Sequence, residues 1–129
     1  MARTRRASTP EHEPGRWAEI ADRAARYANG VPTDLLRGYL EGLDEVSATG
    51  RRLRPTQLRV RREAGARAAE RGVPLRGVID LHLSATRLAW ASLSGVRDAV
   101  GADAVRTAGE AVLKAADAAG VAVAEGYED

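Results

Sequence analysis

The sequence holds no cysteine, no phenylalanine and a single methionine in 129 residues. Without cysteine there are no disulfides, no thiolate nucleophile and no cysteine zinc site, and a cytoplasmic home fits best. No apolar run approaches the roughly 20 residues that a membrane-spanning helix needs. The start, MARTRRASTPEHEPGR, is basic with no apolar stretch behind it, so neither a secretory leader nor an anchor is expected. Aromatic residues come to two Trp and three Tyr. So few large side chains force the helices of any bundle either to pack very closely or to leave a pocket.

Lysine is scarce as well: Lys114 stands alone beside nineteen arginines. The formal net charge of +2 conceals an asymmetry. Residues 51–71 carry eight arginines against two glutamates, whereas residues 101–129 carry six acids against two bases. The two segments can meet, within one chain or between two.

What is present is helical periodicity, within a length that suits one domain. Residues 1–14 contain Pro10 and Pro14 and no periodic apolar positions, and read as a disordered basic tail ahead of a domain over 15–129. A helix over 15–29 places Trp17, Ile20, Ala21, Ala24, Tyr27 and Ala28 on one face, and Gly30 stops it. Val31-Pro32-Thr33 opens a second, with Thr33 and Asp34 suited to its first-turn N–H groups and Leu36, Tyr39, Leu40, Leu43 and Val46 turned inward. A third runs from Pro55 to Arg71 with Leu58, Ala64, Gly65, Ala68 and Ala69 inward.

The fourth, from Val73 to Asp98, organises the rest. Its polar side is a narrow stripe of Arg76, Asp80, Ser84, Arg87 and Ser94, and everything else is apolar, as in a central buried helix. A fifth, over 102–127, repeats small residues at Val105, Gly109, Val112, Ala116, Ala119, Val123 and Gly126, a heptad-like seam for tight pairing in the same chain or across a dimer. The expected fold is all-α, a globular domain of about five helices.

His82 is the one histidine inside an expected helix, and it points about 160° away from Asp80 into the apolar face. Its ring N–H needs a partner, for which Thr86 is one turn on. Two readings stand: a hydrogen-bonded core histidine, or a ligand contact or pH sensor with Thr86, Trp90 and Tyr39 around it. No second ligand is spaced for metal or haem, and no cofactor is expected.

The arginine run, with Arg59, Arg62 and Arg67 in it, is where a nucleic-acid reading starts, yet helical spacing spreads these residues around the third helix without interleaved aromatics. A solvated or partner-facing surface is the plainer reading. Ser84, Ser92 and Ser94 occur in no triad setting, so only a His82-dependent enzyme remains as a distant alternative.

The run RREAGARAAERGVPLRGVIDLHLSATRLAW, from Arg61 to Trp90, resembles the N-terminal region of transcription regulators of the PucR (CdaR-like) family. The likeness extends through VPTDLLRGYLEGL before it and AGEAVLKAADAAGVAVAEGYE after it. Related N-terminal domains include that of the stress-sensing protein RsbR, globin-like without haem and signalling through a dimer. The resemblance implies a non-catalytic, actinobacterial sensor domain, a homodimer that meets a small-molecule effector or protein partner, with DNA contact left to a separate domain. It also implies an aromatic where His82 stands, which marks this histidine as peculiar to this chain.

Overall fold

The computed structural model describes residues 15–129, and the tail expected over 1–14 lies outside them. Six α-helices follow in order: α1 (Ala18–Tyr27), α2 (Tyr39–Thr49), α3 (Pro55–Glu70), α4 (Leu75–Ala89), α5 (Ser94–Arg97) and α6 (Ala102–Glu128). Two 3-10 turns, Thr33–Leu36 and Trp90–Ser92, interrupt them. The fold is all-α.

The expected second helix is two pieces. Its first turn tightens into the 3-10 segment, Gly38 takes a left-handed φ of 78°, and α2 starts afresh at Tyr39. The glycine permits a reversal that a Cβ would strain. Neither Thr33 nor Asp34 caps the turn by its side chain; Asp34 reaches instead to Arg71, 2.9 Å away.

The expected fourth helix also divides. α4 ends at Ala89, and the chain passes through the Trp90–Ser92 turn into the single turn α5. The break is held from outside: the Asp44 carboxylate accepts from the Ser94 amide at 2.7 Å and from its hydroxyl at 2.8 Å, and Ser47 Oγ accepts from the Gly95 amide. These bonds satisfy orphan N–H groups at the start of α5, which no residue of its own caps.

α4 does touch α1, α2, α3 and α6, as a central helix must. Its open side, however, is Arg76, Asp80, Leu83 and Arg87, with Leu83 55% exposed in the middle of the polar stripe. On α1, Tyr27 is 62% exposed and lies under the Arg87 guanidinium, 5.0 Å from its ring centre; on α3, Ala69 faces out. Both had been expected inside.

The core is aliphatic and small, led by Leu35, Leu43, Leu81, Leu93, Val78, Val112 and Val123. Close approach takes the place of bulk. α3 and α6 meet backbone to backbone: a Cβ on Gly65 would lie 2.0 Å from Val123 O, and one on Gly126 1.9 Å from Arg62 O. The small-residue surface of α3 is what permits this.

Candidate functional site

α2, α3 and α4 converge on one buried polar cluster. His82, from the middle of α4, is 3% exposed, and Arg61, from α3, is 2% exposed. Arg61 shares a stripe with Leu58, Gly65 and Ala68 at spacings of three, four and three, which carries its guanidinium into the bundle.

The hydrogen bonds fix the protons. His82 Nδ1 lies 2.8 Å from the Val78 carbonyl, which can only accept, so Nδ1 carries the hydrogen. Nε2 is therefore a lone pair, and it accepts from Arg61 Nη1 at 2.8 Å. The same Nη1 donates to Leu35 O at 3.0 Å, and Nη2 donates to Arg37 O. Leu35 and Arg37 carry carbonyls at the C-terminal end of the 3-10 turn, where partial negative charge favours a cation. The guanidinium thus closes that turn and ties it to α4.

A second chain of bonds runs beside the first. Thr86 Oγ1 donates back to His82 O at 2.8 Å, which leaves its lone pairs for the Tyr39 hydroxyl, 2.7 Å away and donating. The Tyr39 ring meets the imidazole edge to face with centroids 4.8 Å apart, and the guanidinium lies 5.5 Å from the centre of the same ring. Tyr39, Thr86, His82 and Arg61 are one network.

Its electrostatics are unusual. Among the described residues no carboxylate pairs with Arg61, and the acid whose charge reaches it, Glu41, is exposed on α2. Burial lowers the Arg61 guanidinium to about 10, so it stays charged. Burial, and then the Arg61 charge, hold His82 down to about 4, neutral as its lone pair requires. Burial drives the Tyr39 phenol up to about 12.

The candidate ligand set is thus only partly gathered. Tyr39, His82 and Thr86 stand together, but Thr86 serves the His82 carbonyl and leaves the ring N–H to Val78. Trp90 is half-buried and turns its ring onto Gly109 of α6. Arg61, missed in the sequence because it sits in a run of arginines, is the member that completes the cluster. The space nearest to it is a pocket of about 60 Å³ walled by Gly38, Tyr39, Leu53, Gln57, Val60 and Arg61.

The small-residue seam of α6 faces its own chain. Val112, Ala119, Val123 and Gly126 are buried, Gly109 and Ala116 are half-buried, and Val105 is exposed; α3 is the principal neighbour. Arg59, Arg62 and Arg67 are exposed, and Arg62 pairs with Glu125 of α6 at 3.3 Å, so the basic and acidic segments meet within one chain. Ser94 is engaged by Asp44. Among the described residues no group of three or more His, Asp or Glu is placed to hold a metal ion, and no helix is long and apolar enough to cross a membrane.

A family model described as the RsbT co-antagonist protein rsbRD N-terminal domain matches residues 11–129. No curated protein and no solved structure matches the chain. Of the two likenesses in the sequence, that to the RsbR N-terminal domain is the one this match carries. The chain belongs to the family of RsbT co-antagonist rsbRD N-terminal domains, which are regulatory domains.

Proposed function

We propose that this chain is a non-catalytic sensor domain, globin-like without haem, working as a cytoplasmic homodimer within a PucR-like transcription regulator whose DNA contacts lie in a separate domain. An effector, or a partner surface, is read through the Tyr39–Thr86–His82–Arg61 network as a change in helix packing. The observation that carries this reading is the buried guanidinium held by one imidazole and two turn carbonyls, with no carboxylate in contact among the described residues. Such a cluster joins three helices and a turn through a few directional bonds, so a small displacement costs several at once. His82 spends both nitrogens on Val78 and Arg61, which supports a structural over a catalytic use of the imidazole.

Support for association comes from exposed apolar side chains on α6, Leu113 at 68% and Val121 at 53%, with Leu83 on α4. Sedimentation across a concentration series tests the dimer and its coupling to the buried network. Wild type associates, and His82→Phe, which keeps an aromatic ring of somewhat larger size and removes both ring bonds, changes the association constant at least threefold while circular dichroism stays helical. A chain that remains monomeric at high concentration, or an association constant indifferent to His82→Phe, rejects it.

A further inference from the structure

Arg61 has five N–H groups, and three are engaged: two on Nη1, with Leu35 O and His82 Nε2, and one on Nη2, with Arg37 O. Nε–H and the second Nη2–H meet no protein acceptor among the described residues. They belong to a side chain that is 2% exposed and that walls the pocket formed with Gly38, Tyr39, Leu53, Gln57 and Val60. The remaining N–H groups are taken by the two carbonyls and the imidazole, and the Tyr39 ring lies 5.5 Å from the guanidinium. Gly38, exposed and without a side chain, leaves one edge of the pocket unobstructed.

A buried cation with two idle donors is electrostatically incomplete, because an unpaired buried charge is costly, and an anion against it makes charge-assisted hydrogen bonds at a reduced dielectric. The pocket decides the size. At about 60 Å³ it takes a molecule of a few heavy atoms and is far below the volume of a drug-sized site. Its other walls, Leu53, Val60 and the Tyr39 ring, suit a carbon substituent better than further charge.

We propose that this pocket binds one small monocarboxylate, of the size of formate or acetate, whose two oxygens accept from Nε–H and Nη2–H of Arg61. The inference deepens the sensor reading by naming the chemical class of its effector, and rests on that reading only for what binding signals. The carboxylate supplies a counter-charge in direct contact, where the acid among the described residues whose charge reaches Arg61, Glu41 of α2, acts only from a distance.

The test uses the whole chain. Melting is followed in sodium formate, acetate, chloride and sulfate at matched ionic strength, while the Arg61 Nε–H resonance is followed in a formate titration. Formate and acetate are expected to raise the midpoint by about 2 °C or more over sulfate at roughly 100 mM, with a saturable shift of the Nε–H signal. Val60→Phe, which fills the pocket and leaves Arg61 in place, is expected to abolish both responses and keep the helical spectrum. Equal stabilisation by all four salts, a response that survives Val60→Phe, or a stationary Nε–H resonance overturns the proposal. Sedimentation decides the sensor reading separately, since association coupled to His82 can persist when formate does not bind.

Discussion

At the scale of single residues, His82 makes the fold sensitive to mild acid. Its folded value of about 4 lies below the ordinary 6.5, so between those values the unfolded chain binds the extra proton and the native chain does not. Stability contributed by the neutral ring is complete above about pH 6.5 and is lost as pH falls toward 4. The full window is worth about 3 kcal/mol. Urea unfolding of wild type and His82→Phe at pH 7 and pH 4.5 checks it: the wild type loses more on acidification, and equal losses contradict the assignment. Arg61→Met is expected to cost about 2–4 kcal/mol at pH 7, because Leu35 O, Arg37 O and His82 Nε2 lose their donor together. In that variant His82 titrates higher than in wild type, a shift readable from its ring proton resonances. Sequence alone marked His82 as the odd polar position but gave its N–H to Thr86. A helix back-bond from Nδ1 to Val78 lies within the same turn and competes directly with that choice. Arg61 was legible in principle, since it falls between Leu58 and Gly65 on the inward stripe. Its surroundings of arginine hid it.

At the scale of the element, glycine placement divides into two kinds with opposite expected signs. Gly65 and Gly126 stand where a methyl would collide with the backbone of the facing helix, so Gly65→Ala and Gly126→Ala should each cost about 2 kcal/mol or more. Gly120 lies on the same α6 with nothing within 4 Å of an added Cβ, and Gly120→Ala should stabilise by about 0.5–1 kcal/mol. Chemical denaturation of the three variants tests this, and destabilisation by Gly120→Ala would contradict it. Asp44→Ala should remove the external cap of α5, cost about 1 kcal/mol and loosen Ser94–Arg97 first in hydrogen exchange. Helix boundaries at glycines were readable, and Gly30, Gly50 and Gly72 each take a left-handed φ where a stop was expected. The internal breaks at Arg37-Gly38 and after Ala89 were not. Each is stabilised by residues distant along the chain, Arg61 in one case and Asp44 with Ser47 in the other, which local periodicity does not register.

For the molecule as a whole, the sequence conveyed the all-α class, the inward faces of most helices and the meeting of the basic and acidic segments. It left open whether the small-residue seam of α6 serves its own chain or a second copy, because periodicity describes a face and never its occupant. The ion pairs that the fold does make are mostly exposed, Arg62–Glu125, Arg54–Glu45 and Arg71–Asp34 among them. Exposed pairs contribute little and are screened by salt. Arg62→Ala should therefore change the unfolding free energy by less than about 0.5 kcal/mol. A loss above 2 kcal/mol would show that the α3–α6 junction depends on charge and not on contact.

That junction limits how the domain can move. Where main chains touch with no side chains between them, there is no soft layer to compress and no row of knobs over which one rod can slip to the next notch. At Gly65 and Gly126 α3 and α6 are thereby pinned to each other, so near that junction neither helix can slide along its neighbour without lifting off it.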